Sequence, residues 1–389
     1  MKENKKNEDN AGPVQKKRIL LVVRWPVGGI RTFMRYVYRR FDPNLYHFLI
    51  LGPDNPELDV LAKDLEGLDF EVIKVSEHPS SSELLLAATR LLMHGSFDLV
   101  HSHGFTSGIC TALPAFFCGT PHILTSHDVL SAAQFEGMGG WLKKMVMGVA
   151  LSLVNTIHSV SNDAQANLLE FFPALSNKKD KCIVIMNGIE TERFVHAAPR
   201  DLRGELGVEE DVFLIGFLGR FMAQKGFVYL VDAIEQLKVS GGLPKKPIVL
   251  TFGDGAFIRE EKLAITERGL DNYFNFMPYT PNVASVIKGL DLVVMPSIWE
   301  SCGLLAMETM VAGIPIISSD CIGLREVVRN TPAYTVPSKD SKALAEGIRL
   351  FMEKDMRKYF TDFAQLAVER YDVTSTVTAL KALISERML

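Results

Sequence analysis

Apolar runs rich in β-branched residues alternate with segments of helical periodicity along almost the whole chain. Residues 18–23, Arg18-Ile-Leu-Leu-Val-Val23, read as a strand buried on both faces, and a helix is expected from near Gly29 to Arg40. Strand-like runs recur at 46–51, 70–75, 98–101, 122–126, 156–160 and 181–185. Continuous apolar strands separated by helices predict a parallel sheet covered on both faces. After a polar stretch at 196–211, which contains Pro199, the pattern restarts with strands at 213–217, 248–252, 272–277, 292–295 and 314–318. A last helix is expected at 373–389, after a break at Tyr371-Asp372. The expected fold class is α/β, with two doubly wound, Rossmann-like domains and a cleft between them. Residues 1–17 read as a disordered leader, 18–198 as the first domain and 199–372 as the second. Ligands bind such sheets at the carboxyl ends of strands, so motifs placed there carry the most weight.

Composition narrows the classes without naming one. The 389 residues are 47% apolar and 23% charged, an ordinary globular balance. A net charge of -4 gives no reason to expect nucleic acid as a partner. Cys110, Cys118, Cys182, Cys302 and Cys321 show no metal-type or disulfide-type spacing and fit reduced thiols in a cytoplasmic protein. No run approaches the roughly 20 apolar residues of a membrane span. The longest, 145–154, follows Lys143 and Lys144. Two readings of 141–154 stand side by side: a core helix, or a helix lying peripherally on an anionic membrane.

The sharpest motif is Trp299-Glu300-Ser301-Cys302-Gly303-Leu304-Leu305-Ala306-Met307-Glu308, directly after the strand at 292–295. Gly303 permits close backbone approach, and a helix beginning at Leu304 presents free N–H groups suited to a phosphate. Glu300 and Glu308 would lie about 12 Å apart if the segment were wholly helical, a spacing that lets one reach a sugar and the other a ribose. The plainer alternative is a cap glutamate and a helix-surface glutamate sharing nothing. A second motif, Gly216-Phe-Leu-Gly219-Arg220-Phe-Met-Ala-Gln-Lys225-Gly226, leaves the first strand of the second half. Arg220 offers a planar fork and Lys225 a mobile point charge for a departing diphosphate. Solvated loop charges are the alternative. Gly28-Gly29 opens the first helix, and Gly253-Asp254-Gly255 resembles half of a dinucleotide fingerprint without its third glycine. His101-Ser-His103 and Thr125-Ser-His127-Asp128 both end strands of the first half. A cleft-facing histidine and a satisfied core histidine are both open, the latter especially for His101. Without an Asp-x-Asp pair, no divalent metal and no other cofactor is expected.

In this order the motifs resemble glycosyltransferase family four, the retaining "group one" glycosyltransferases of GT-B fold. The resemblance runs from Arg18 onward and includes Gly28-Gly29, Thr125-Ser-His127, Asn187-Gly-Ile-Glu-Thr-Glu-Arg-Phe194, Gly219-Arg220 with Lys225-Gly226, Gly253-Asp254-Gly255, and Glu300/Glu308 with Ala312-Gly-Ile-Pro315. It implies a retaining, metal-independent hexosyltransferase using a nucleotide diphosphate sugar, a UDP-sugar first among candidates. The acceptor would be a sugar or lipid-linked hydroxyl in cell-surface polysaccharide or glycoconjugate synthesis. It implies that Arg220 and Lys225 clamp the diphosphate, Glu300 meets the donor sugar, Glu308 holds the ribose and His127 faces the sugar. Gly28, Gly29, Gly219, Gly253, Asp254, Gly303, Leu304 and Leu305 would line the donor site. It also implies that helix 373–389 returns to an acceptor-side first domain while the second binds the nucleotide sugar. Met277-Pro278 and Val311 depart from the family pattern, the first where a base pocket is expected. A nucleotide-sugar epimerase or hydrolase of the same fold, which would act on the donor alone, and a non-catalytic sugar-nucleotide-binding module are the competing functions. The acceptor should be read near Arg24, Trp25, Arg31 and Phe105.

Overall fold

The computed structural model describes residues 15–178 and 180–389; apart from 15–17, the expected leader lies outside the described residues. The first half carries β1 (Lys17–Val23), β2 (Tyr46–Gly52), β3 (Phe70–Lys74), β4 (Leu99–His103), β5 (His122–Ser126), β6 (Thr156–Ser159) and β7 (Cys182–Val184). The second carries β8 (Val212–Leu218), β9 (Lys246–Phe252), β10 (Phe274–Met277), β11 (Leu292–Met295), β12 (Ile316–Ser319) and β13 (Tyr334–Val336). Each set forms one parallel sheet, ordered β3-β2-β1-β4-β5-β6-β7 and β10-β9-β8-β11-β12-β13. The central strands are apolar without alternation, because helices cover both faces: Ile19 to Val23 and Leu292 to Val294 are fully buried.

Both sheets reverse strand order between their first and fourth strands, at β1/β4 and at β8/β11. At such a switch point neighbouring crossovers run to opposite faces and leave a crevice beyond the strand ends. Gly28-Gly29 follows β1, Gly219-Arg220 follows β8 and Trp299-Glu300 follows β11. The motifs thus stand at the two crevices.

Several bounds differ from the sequence reading. β4 continues through His103, since its polar side chains find partners on β5 (His101 with Thr125, Ser102 with His122) and on Tyr38 of the helix that follows β1. β12 starts at Ile316, later than expected, because Ile314 and Pro315 lead in from the preceding helix. β13 carries exposed Tyr334 and Thr335 and so lacks the apolar run that marks a buried strand. The polar stretch at 196–211 contains a short helix, Leu202–Leu206, capped by Asp201 and closed by Gly207 in the left-handed region. The first helix is Gly28–Tyr38 and the last Val373–Arg387.

The chain crosses between the halves at Asp372. Ile189 N–H donates to the Tyr371 carbonyl (2.8 Å), and Val373 N–H donates to that of Ile189 (3.0 Å). Gly188 makes the approach possible, since a Cβ there would lie 2.6 Å from Val373 Cα. Helix 373–387 then lies on the first half: Thr376 Oγ1 donates to the Met186 carbonyl (2.7 Å) and Arg387 Nε to Thr156 Oγ1 (2.7 Å).

Gly226, between Lys225 and the helix Phe227–Ser240, has φ +64 and packs so that a Cβ would lie 2.0 Å from the Pro296 carbonyl oxygen. Gly207 lies in the left-handed region at φ +63 with nothing near among the described residues. Gly207→Ala is expected to cost only the left-handed penalty of about 1–2 kcal/mol. Gly226→Ala adds the overlap and should lower Tm clearly further in thermal unfolding. Equal shifts would show that the loop does not need this contact.

Candidate active site

The cleft between the two halves has a volume of about 1080 Å³, enough for a ligand larger than a typical drug. Every residue expected at the donor site lines it: Gly28, Gly29 and His127 from the first half, and Gly219, Arg220, Lys225, Gly253, Asp254, Glu300, Gly303, Leu304, Leu305 and Glu308 from the second.

The second half builds its wall from three loops. Gly219 and Gly253 lie backbone to backbone, and a Cβ on Gly253 would sit 2.0 Å from the Gly219 carbonyl oxygen. Gly219 N–H donates to the Phe252 carbonyl (3.0 Å), and Phe221 N–H to that of Asp254 (3.0 Å). The Asp254 carboxylate turns back on its own loop and accepts from Gly255 N–H at 2.8 Å. Arg220 is exposed and reaches across the cleft, its guanidinium lying about 3.7 Å from where a Gly28 Cβ would stand. Lys225 Nζ donates to Glu300 Oε1 at 2.7 Å, and Ser297 Oγ donates to the same oxygen at 2.8 Å. Glu300 is buried and Lys225 half-buried, so this pair is shielded from solvent far more than a surface salt bridge. Helix Leu304–Val311 starts at Gly303, which supplies no side-chain cap, so its amide end faces the same space. A Cβ on Gly303 would meet Leu324 at 2.5 Å.

Glu308 lies deeper on that helix. Its carboxyl is pushed up to about 7 by burial, against the opposing pull of Arg193 and Arg35 and a hydrogen bond from Tyr36. Tyr36 OH, from the first half, donates to Glu308 Oε1 at 3.4 Å. Burial, with the Glu308 charge behind it, drives the Tyr36 hydroxyl well above the ordinary tyrosine range.

On the opposite wall, His127 lines the cleft in front of a buried polar cluster. Its Nε2 lies 3.1 Å from His103 Nδ1, and Tyr38 OH lies 2.8 Å from both His103 Nε2 and His101 Nδ1. His101 is fully buried and satisfied, the core alternative for that residue. Phe33 packs edge-on against His127, with ring centroids 5.0 Å apart. Trp25 and Phe105 line a small adjoining pocket beside His127. Arg31 does not join them, because Asp64 accepts from its Nε at 2.7 Å. Arg24 is likewise held, over the Trp25 ring and toward Ser81.

Tyr36, Ser297 and Asn187 escaped sequence reasoning as individual residues. Asn187 is buried in the cleft wall with its side-chain oxygen unpartnered among the described residues. A tyrosine within a helical run and a serine in a turn carry no spacing signal. Only the Asn187-Gly188 pair, ahead of the crossing, was marked in the pattern.

A model of Glycosyltransferase Family 4 matches residues 27–193, and one of Glycosyl transferases group 1 matches residues 200–367. The chain belongs to this family of glycosyltransferases. It is 26% identical over 349 residues to the D-inositol 3-phosphate glycosyltransferase of Saccharomonospora viridis, covering 85% of this chain and 80% of that one. It is 28% identical over 243 residues to the alpha-maltose-1-phosphate synthase of Mycolicibacterium smegmatis, covering 59% of this chain and 61% of that one. The chain therefore spans less than two thirds of the length of that relative. Among solved structures, Anabaena HepE in complex with UDP-glucose superposes with a TM-score of 0.77 at 21% identity, covering 95% of this chain and 99% of that one. At that identity the likeness establishes the fold, which is GT-B.

A carboxyl held above its unfolded value, about 4.3, binds its proton more tightly when folded. The Glu308 contribution to stability is thus fully present below that value and lost as pH rises through about 7. Glu308→Gln should remove this component, so the Tm difference between wild type and variant changes across that window. A difference independent of pH would show that Glu308 does not titrate there.

Proposed function

We propose that this chain is a retaining glycosyltransferase that moves a sugar from a nucleoside diphosphate sugar, a UDP-sugar in the first instance, to an acceptor hydroxyl. The observation that carries the reading is the convergence of Arg220, Lys225 and the amide end of helix 304–311 on one cleft faced by both halves. Such an array suits a diphosphate that gains charge as it leaves. In the reaction the bond between the anomeric carbon and the diphosphate oxygen breaks, and its electron pair departs with the diphosphate. The acceptor oxygen bonds to the anomeric carbon from the same face, and its proton passes to a diphosphate oxygen. No protein nucleophile is required, and the cations supply the charge that a metal would otherwise bring. Lys225 exchanges Glu300 for phosphate when the donor enters, which frees Glu300 to accept from sugar hydroxyls. Glu308 accepts from the ribose hydroxyls, and closure of the halves excludes water.

Lys225→Ala and Glu300→Ala should each lower donor-dependent transfer by about 10²-fold or more. Thermal unfolding of both variants, in parallel, separates lost chemistry from lost folding. Near-normal transfer by both would end this assignment. Product analysis without acceptor distinguishes a transferase from a hydrolase or epimerase.

The proposed acceptor is a sugar or a lipid-linked sugar in cell-surface polysaccharide or glycoconjugate synthesis, met at the cytoplasmic face of a membrane. Among the described residues no helix is long and apolar enough to cross one. Helix Gly137–Leu153 instead leaves Met138 (87%), Trp141 (59%), Leu142, Met145, Val146 and Val149 exposed. Phe116 and Phe117 (77%), from the neighbouring helix Phe105–Cys118, extend this patch. An apolar surface of this kind beside Lys143 and Lys144 favours peripheral contact with an anionic bilayer. The chain should float with vesicles containing anionic lipid, less so at high salt, and a Phe117→Ser/Trp141→Ser double variant should remain in solution. Failure of wild type to float at any salt concentration would remove the membrane from the proposal.

A further inference from the structure

The polar cluster behind His127 is one unbranched hydrogen-bonded chain. Starting from the cleft, His127 Nε2 meets His103 Nδ1 at 3.1 Å, and His103 Nε2 meets Tyr38 OH at 2.8 Å. Tyr38 OH meets His101 Nδ1 at 2.8 Å, and His101 Nε2 meets Thr125 Oγ1 at 2.6 Å. Thr125 Oγ1 meets His158 Nδ1 at 3.0 Å, and His158 Nε2 ends on the Ile185 carbonyl at 3.0 Å. Among the described residues no carboxylate bonds any of these rings. Burial drives all four imidazoles toward the neutral form, His127 to about 3 and His158 to about 4.

A neutral imidazole has one N–H and one lone pair, and a hydroxyl has a single proton. A carbonyl can only accept, so the Ile185 end sets the direction of every other bond. His158 must donate from Nε2 and accept at Nδ1, so Thr125 donates to it. Thr125 then accepts from His101 Nε2–H, and His101 Nδ1 accepts from Tyr38. The Tyr38 oxygen accepts from His103 Nε2–H, and His103 Nδ1 accepts from His127 Nε2–H. One site remains at the far end: His127 Nδ1, a lone pair with no protein partner among the described residues, on a ring that lines the cleft.

We infer that the relay through His103, Tyr38, His101, Thr125 and His158 holds His127 as the Nε2–H tautomer, so that its Nδ1 accepts a hydrogen bond from a hydroxyl of the bound sugar or acceptor. Tyr38 and His103 are then positioning residues. His127 contributes no positive charge to the phosphate side of the cleft, and it discriminates for a hydroxyl and against an anionic group at its position. The identity of that hydroxyl rests on the glycosyl-transfer reading; the polarity of the relay does not.

The test is a long-range ¹H–¹⁵N correlation spectrum of the full chain labelled in its histidine rings, with His127 assigned through its loss in His127→Gln. The expected result is a protonated Nε2 and an unprotonated Nδ1 at His127, unchanged when UDP is added. An Nδ1–H tautomer or an imidazolium, with or without UDP, would overturn the inference. Tyr38→Phe keeps the ring and cuts the chain, and should convert His127 to a tautomer mixture. If that variant does not fold, Thr125→Val makes the cut further inward and should do the same. An unchanged His127 spectrum in a folded, cut variant would also overturn the relay. If the tautomer is as expected but neither UDP nor UDP-glucose perturbs any ring, the relay stands and the UDP-sugar reading of the donor fails.

Discussion

A ligand that spans two domains requires those domains to be held in register, and the backbone crossing at Asp372 is where this chain does so. Ile189 exchanges two main-chain hydrogen bonds with Tyr371 and Val373, and Gly188 removes the side chain that would keep them apart. A main-chain pairing of this kind constrains distance and orientation together, unlike contacts between flexible side chains. A second tie lies on the far side of the crevice. Asp163 accepts from Arg325 through two bonds of 2.9 Å and from Gly323 N–H at 2.9 Å. The desolvation of Asp163 is opposed by these donors, which hold its carboxyl below the usual range. With the halves tied together in this arrangement, Arg220 comes to lie against Gly28 and Tyr36 against Glu308.

The charges of the cleft follow from that geometry. Lys225 cannot stand unpaired in a half-buried position without a desolvation cost, and Glu300, in the loop after the neighbouring strand β11, neutralises it. Among the described residues Glu308 has no cation in direct contact: Arg35 and Arg193 act from further away, and its carboxyl rises toward neutrality instead. One glutamate is thus matched by a full charge and the other by protonation. This is the division expected where one position must release a cation to an incoming anion and the other must meet neutral hydroxyls.

Much of this was readable from the sequence because it depends on local rules. Parallel strands buried on both faces announce themselves as unbroken apolar runs, as β1, β8 and β11 do, and the alternation of strand-like runs with helical segments marks the other strands of the first sheet. β13 was not readable, because an exposed edge strand with Tyr334 and Thr335 outward lacks the apolar signal. Glycines beside charged residues at strand ends marked the cleft lining, since close backbone approach needs them wherever they fall in the chain. The pairing of Lys225 with Glu300, the reach of Tyr36 to Glu308 and the diversion of Arg31 to Asp64 were out of view. Each joins residues distant in sequence through side-chain rotamers, and no periodicity records a rotamer.

The histidines show the same limit from the other side. Placing His101, His103, His122 and His158 on the inner strands of a parallel sheet, with His127 just past the end of β5, breaks the apolar pattern that otherwise defines this core. An isolated buried imidazole with an unmet nitrogen loses more in desolvation than an apolar side chain gains. His122 comes close to that case, with Nε2 near Ser102 Oγ at 2.7 Å and its Nδ1 without a partner among the described residues. The other four avoid it by joining end to end, and a chain anchored on a carbonyl has only one direction in which all its protons fit. Order of that kind cannot be shared out among the members, because reversing one bond reverses the rest. A polar core arranged in this way is tolerated at a cost in stability, and what it provides is a defined lone pair at the one end that opens on the cleft.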